Sequence, residues 1–216
     1  MIIRPHYMDT LKTYRDVPLV KILAGIRRCG KSTILDMLRD DLLENGIAAD
    51  HILSMRYTSE DFDDGMTDKD MYRGIKEQMA GDGRYYLLLD EVQEITGWEK
   101  AVNSLMENGN TDIYVTGSNS KLLSGELATY LSGRYIQIQV FPFSLAEAKQ
   151  QCIENGTYTS DEKLFADYLK YGGFPQRFFL PDDHSITTYL DDLYEAIIVR
   201  DIMLRHNIRE QTALRN

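Results

Sequence analysis

Cysteine is scarce in this 216-residue chain: only Cys29 and Cys152 occur, and one of them lies inside a glycine-bearing turn. A structural disulfide is therefore not expected. The four histidines, His6, His51, His184 and His206, are scattered without ligand-like pairing, so no transition-metal site is expected either. Long apolar runs are missing. The longest, Tyr85 to Leu89, is far too short to cross a bilayer, and Met1-Ile2-Ile3-Arg4-Pro5 begins no signal peptide. The expectation is a cytoplasmic protein with no membrane partner. Basic residues are outnumbered, 24 Lys and Arg against 34 Asp and Glu, for a formal charge of −10. That balance argues against a broad nucleic-acid footprint and leaves a local one open. Internal repeats and low-complexity linkers are also absent. What remains, 43% hydrophobic and 27% charged residues, is the composition of a globular protein with one sizeable core, or a core domain with a small appendage.

Against that background one segment carries specific chemistry. Gly25 to Ser32 read G-I-R-R-C-G-K-S, the phosphate-loop pattern G-x-x-x-x-G-K-[ST], directly after the apolar run Leu19 to Ala24. Gly25 and Gly30 are expected to let the backbone curl so that successive N–H groups face phosphate oxygens, an approach that a Cβ would obstruct. Lys31 would reach the β- and γ-phosphates, and the Ser32 hydroxyl suits Mg²⁺. Arg27 and Arg28 add positive charge where a polyphosphate would lie. Leu35, Leu38 and Leu42 recur at helical spacing, so the loop opens a helix whose N-terminus favours an anion. Cys29, between Arg28 and Gly30, is expected to be rich in thiolate and to react with alkylating reagents, unless its side chain points under the loop into the core.

A second strand should then end in an acid. Tyr85 to Leu89 is a fully apolar run of the buried parallel kind, and Asp90-Glu91 follow it. Asp90 fits the acid that organises Mg²⁺, and Glu91 is placed to act as general base toward a water. An ordinary strand-to-loop transition with solvated carboxylates has the same appearance. Thr111 to Thr116 form a third strand that runs into Gly117-Ser118-Asn119-Ser120. If this strand inserts between the two motif strands, Ser118 or Asn119 would orient the attacking water, Asn119 being preferred because its amide both donates and accepts. A polar turn that caps the next helix is the alternative.

Further strands are expected at His51 to Tyr57 and Tyr135 to Val140, and helices at Asp68 to Met79 and Trp98 to Met106. After Phe141-Pro142-Phe143 the strand signal stops, and Leu145 to Cys152, Glu162 to Tyr171 and His184 to Arg205 read as helices. The fold class is therefore α/β, a mainly parallel sheet between helices with ligands at the carboxyl ends of the strands. Residues 1–143 form the core and 144–216 a helical lid with a C-terminal helix.

In these residues the chain resembles the AAA-type ATPases of bacteria and archaea that carry the AAA_14 domain, usually followed by a domain called DUF4143. The matching features are G-I-R-R-C-G-K-S-T (25 to 33), L-L-L-D-E-V-Q (87 to 93) with Trp98-Glu99, T-G-S-N-S (116 to 120), L-S-G-R (131 to 134), F-P-F-S-L-A-E (141 to 147) and Y-G-G-F-P (171 to 175). The resemblance implies an AAA+ core with a helical lid, with ATP and Mg²⁺ as cofactors. It places the phosphate loop at Gly25 to Thr33, the Mg²⁺ acid at Asp90, the catalytic glutamate at Glu91 and a sensor at the Ser118-Asn119 tip. It also implies a base-packing proline at Pro175, where a helix-terminating turn is the other reading, and a phosphate sensor or finger at Arg134, where an arginine opening a strand edge is the other. The second domain of the family is absent from the sequence, which is therefore expected to be the ATPase portion of a longer protein, with self-association or an effector domain in cis as partners.

Hydrolysis competes with a nucleotide-dependent switch that does not turn over; the second acid, Glu91, favours hydrolysis. A GTPase reading is weak, because the only string similar to a guanine-reading motif, Thr67-Asp68-Lys69-Asp70, has its lysine displaced by one position and lies before the acid-bearing strand. A small-molecule kinase would share the loop but fits the acid pair and the sensor-like tip less well.

Overall fold

The computed structural model describes residues 2–58, 65–118 and 130–197. Five parallel strands, β1 (Val20–Gly25), β2 (Ile52–Arg56), β3 (Tyr85–Asp90), β4 (Thr111–Ser118) and β5 (Tyr135–Gln139), form one sheet in the order β2-β3-β4-β1-β5. Helices α1 (Pro5–Thr13), α2 (Lys31–Glu44), α3 (Asp68–Gln78) and α4 (Trp98–Glu107) accompany them. The chain then continues through α5 (Leu145–Glu154), α6 (Asp161–Tyr171), a 3-10 turn at Pro175–Phe179, and α7 (Asp183–Ile197). The elements expected from apolar periodicity are present, apart from the stretch of the last helix beyond Ile197, which lies outside the described residues. Helix α1 was not foreseen. Its signal is Pro5 at the first helical position followed by Tyr7, Met8 and Leu11, all buried.

Two compact units divide the chain. One holds Arg4–Gly25 and Lys31–Val140; the other holds residues 2–3, Ile26–Gly30 and the described residues from Phe141 onward. The last change of unit falls after Val140.

In the sheet unit, strand alternation sorts side chains to two faces. Val20, Ile22 and Ala24 of β1, Leu87 and Leu89 of β3, and Ile113 and Val115 of β4 share a cluster with Met71 and Ile75 of α3 and Trp98, Val102 and Leu105 of α4. The opposite face takes α2, whose Ile34, Leu38 and Leu42 are fully buried. Each such side chain contributes about 1.5–3 kcal/mol by leaving water. Cover on both faces explains why β3 reads as a continuous apolar run.

One buried polar node interrupts this core. Lys21, with no exposed surface, donates to the Val17 carbonyl at 2.7 Å and to Asp112 Oδ1 at 2.5 Å. Asp112 Oδ2 accepts from the Asp16 N–H at 2.8 Å and the Tyr114 hydroxyl at 2.9 Å. Burial pulls the Lys21 amine below the usual lysine range, against the opposing pull of Asp112. The node fastens the 14–19 connection to the amino ends of β1 and β4. Breaking a buried pair strands one charge, whereas replacing both partners does not.

In the helical unit Ser144 caps α5 in a reciprocal box with Glu147, and Ser160 caps α6. Gly173 is required by close approach. The Phe143 N–H donates to the Gly173 carbonyl at 2.7 Å, and a Cβ on Gly173 would lie 2.0 Å from the Phe143 carbonyl oxygen. The Tyr168 hydroxyl donates to the same oxygen at 2.7 Å. The F-P-F and Y-G-G-F-P segments are thus laced together through the backbone.

Two predictions follow from these contacts. Asp112→Ala should cost about 3–5 kcal/mol in urea unfolding, and the double change Lys21→Met/Asp112→Leu distinctly less. Gly173→Ala should cost at least about 1–3 kcal/mol, and hydrogen exchange should show protection lost at the Phe143 amide while β1 and β4 stay protected.

Candidate functional site

The parallel register assembles a polar row at the carboxyl ends of the strands. Arg56 of β2 pairs with Asp90 of β3, Leu89 with Val115 of β4, and Thr116 with Leu23 of β1. Asp90 therefore lies between Arg56 and Thr116. Arg56 Nε donates to Asp90 Oδ2 at 3.1 Å, and the Thr116 hydroxyl donates to Asp90 Oδ1. The same hydroxyl oxygen accepts from the Glu91 N–H at 2.9 Å. Thr116 thus fixes both acids at once, orienting the carboxylate of one and the backbone of the other. Arg56 Nη2 also stands 3.9 Å from Asp36 of α2.

Glu91 follows β3 in the left-handed region, φ 57° and ψ 44°. That conformation costs a non-glycine residue roughly 1–2 kcal/mol and is held here by its neighbours. One carboxylate oxygen, Oε2, accepts from the Gln93 side-chain amide. The other, Oε1, lies 3.7 Å from Lys31 Nζ. Lys31 opens α2, is 4% exposed, and donates to the Gly25 carbonyl at 3.2 Å. The lysine of the loop and the two acids of β3 therefore meet within one unit, although they are some sixty residues apart in sequence.

The loop turns through two left-handed residues. Gly30 takes φ 99°, and the second left-handed residue is Arg28 at φ 65°, whereas Gly25 ends β1 and is not among the positive-φ residues. Its part is to present a carbonyl to Lys31. Arg27 is half-buried and Arg28 exposed; Ser32 and Thr33 are half-buried in the first turn of α2. Cys29 is fully buried, so the expectation of an alkylatable thiol is corrected: a closed environment removes the access that reactivity needs.

Ser118 ends β4 opposite Gly25 and is buried; Asn119 lies outside the described residues. Pro175 opens the 3-10 turn that follows α6. Arg134 is not brought to the loop. Its carbonyl accepts from the Val20 N–H at 2.8 Å, at the amino end of β1, and its guanidinium donates to Asn103 at 2.9 Å and Glu107 at 3.3 Å on α4. The six residues of β1 put about 16 Å between that end and the loop. A sensor role for Arg134 toward its own loop is thereby corrected. Sequence reasoning missed Thr116 and Arg56. Thr116 carried a signal, a hydroxyl inside an apolar strand, whereas Arg56 becomes relevant only through the β2-β3 register.

The donor set suits a nucleotide with Mg²⁺. Hydroxyl and carboxylate oxygens are hard ligands, and Mg²⁺ is ordinarily held by one or two protein groups together with phosphates and water. Each Asp90 oxygen carries one protein hydrogen bond and keeps a lone pair for a hydrated ion. The start of α2 and the buried Lys31 supply the complementary positive pole.

Comparison with known proteins bears on the family and the fold. The chain is 37% identical over 217 residues to an uncharacterized protein of Haemophilus influenzae, covering 100% of this chain and 54% of that protein. It is 28% identical over 212 residues to the uncharacterized protein MJ1544 of Methanocaldococcus jannaschii, covering 91% and 45%. The chain therefore spans about half the length of these relatives. In structure it is similar to the Walker-type ATPase PABY2304 of Pyrococcus abyssi (TM-score 0.62, 16% identity, 96% of this chain and 77% of that one). It is also similar to AMPPCP-bound DnaA of Aquifex aeolicus (TM-score 0.51, 13% identity, 98% and 65%). At such identities these two likenesses concern the fold, a parallel α/β sheet of the P-loop kind. The AAA domain family model AAA_14 matches residues 18–149, and the chain belongs to that family.

Proposed function

We propose that this domain binds ATP with Mg²⁺ and hydrolyses it. The observation that carries the reading is the convergence of Lys31, Asp90 and Glu91 at the carboxyl ends of β1 and β3, with Thr116 tying the two acids together. Backbone N–H groups of the loop and the first turn of α2 would hold the α- and β-phosphates, and the Lys31 ammonium would offset charge on the β- and γ-oxygens. Ser32 and Asp90 would hold Mg²⁺ and its waters; when bound, the ion neutralises charge that develops on the transferred phosphoryl oxygens. Glu91 would accept the proton of a water whose oxygen attacks the γ-phosphorus as the bond to the β,γ-bridging oxygen breaks. Its left-handed backbone, fixed through Thr116, aims the carboxylate toward Lys31 instead of leaving it on the strand axis. Ser118 or Asn119 would orient that water, and Pro175 would pack against the base.

Arg134, at the far end of its own sheet, can serve as a finger only toward the nucleotide of another copy, and that role belongs to the proposal. So does an effector domain of the DUF4143 kind in a longer protein, driven or switched by the nucleotide state. A non-hydrolysing switch is the second reading. The expenditure of backbone strain on Glu91 favours turnover, since a switch needs no oriented base.

Measuring MgATP affinity by calorimetry and phosphate release in parallel tests these assignments. Lys31→Ala should weaken MgATP binding about ten- to hundredfold, the loss of one charge-assisted contact of roughly 1.5–3 kcal/mol. Glu91→Gln should bind MgATP as wild type does and release no phosphate above background; wild-type turnover in this variant would refute the base assignment. Thr116→Val keeps the side-chain shape and removes both hydrogen bonds of the hydroxyl, so phosphate release should fall about 10- to 100-fold with affinity little changed.

A further inference from the structure

Helices α3 and α4 start side by side, tied by a parallel bridge between Thr67 and Thr96. The seam between them opens outward as a groove of about 660 Å³, wholly within the sheet unit. Its lining is unusual for so acidic a chain. Lys69, Arg73 and Lys76 of α3 and Lys100 of α4 face it, against two acids, Asp68 and Glu77, near the ends of α3. At 100° per residue Lys69, Arg73 and Lys76 fall on one narrow stripe, separated along the axis by about 6 and 4.5 Å. Among the described residues Lys69, Lys76 and Lys100 have no carboxylate within ion-pairing distance, and Arg73 has only Asp70, at 3.8 Å. One exposed ring accompanies the cations: Tyr130 has Lys100 Nζ 5.5 Å from its ring centre, whereas Tyr72, which also lines the groove, is partly buried against the core.

We propose that the α3-α4 groove binds single-stranded nucleic acid through its phosphate backbone, with the exposed Tyr130 ring beside Lys100 as a stacking surface. A run of cations a few ångströms apart matches successive phosphates, and ring faces interleaved with cations are how sequence-tolerant single-strand sites are built. The charge of −10 is consistent with a footprint confined to this groove, because it repels a polyanion elsewhere on the surface. The site is separate from the phosphate loop and does not depend on the ATPase reading.

The test is fluorescence anisotropy of a fluorescein-labelled single-stranded dT 12-mer titrated with the whole chain. The expected Kd at physiological salt is between about 1 and 100 µM, with a log–log salt slope of about −2 to −3 for three or four neutralised phosphates. Reversing the stripe with Lys69→Glu/Arg73→Glu/Lys76→Glu should weaken binding at least about tenfold, with MgATP affinity and circular dichroism unchanged. If that variant loses helix, the neutral pair Lys69→Gln/Lys76→Gln reports instead through a shallower salt slope. Lys163→Glu/Lys170→Glu on α6 should have no effect. The proposal is overturned by no anisotropy change at low salt, by binding that the groove variants leave intact, by displacement with saturating MgADP, which would locate the strand on the phosphate loop, or by equal displacement with poly-glutamate at matched charge, which would mark a surface for acidic protein.

Discussion

The position of β4 between β1 and β3 constrains everything else in the sheet unit. Three parallel strands in register put the end of the phosphate-loop strand, the acid pair and a hydroxyl-bearing strand into one row. Thr116 occupies the middle of that row and uses its hydroxyl in both directions, donating to Asp90 and accepting from Glu91. Without β4 in that place Asp90 and Glu91 would be two acids at a strand end, and Lys31 would have no reason to point toward them. The left-handed turn at Glu91 is the local cost of this arrangement, and the surrounding hydrogen bonds hold it.

Polar chemistry is concentrated at the two ends of the sheet, with different consequences. At the amino ends Lys21 and Asp112 are wholly enclosed and every bond they make goes to the protein itself, which pins the 14–19 connection in place. At the carboxyl ends Asp90 bonds to Arg56 and Thr116, and Glu91 stands between Gln93 and Lys31 in the first turn of a helix. A closed network contributes rigidity; an incompletely closed one at a helix N-terminus offers a place for an anion and its counter-ion. The helical unit has its own constraint, the approach of Phe143 to Gly173, which ties two sequence motifs together through main-chain atoms. There the choice of glycine follows from distance and not from a turn conformation.

Much of this was legible in the sequence because the signals were local. A loop motif between an apolar run and a helical repeat, an apolar pentapeptide followed by two acids, and alternation at residues 135–140 each report a structure spanning a few residues, where hydrophobic periodicity is dependable. Even the order of the central strands could be anticipated, since motif-bearing strands of this kind flank an inserted third. Helix α1 escaped because its apolar signal is brief.

What only the tertiary structure decided was the partnership of distant groups. Thr116 and Arg56 become neighbours of Asp90 through strand register, Arg134 is removed from the loop by the length of β1, and Cys29 is closed off although its flanking charges suggested access. The cations of α3 read along the chain as an ordinary solvated helix face; beside Lys100 they line a groove because two helices begin at the same level. The amino-acid sequence by itself determined the elements and the phosphate-loop motif, since these depend on propensity and spacing within a short segment. Which acid, hydroxyl and guanidinium share a hydrogen bond depends on packing across the sheet, and no local pattern carries that information.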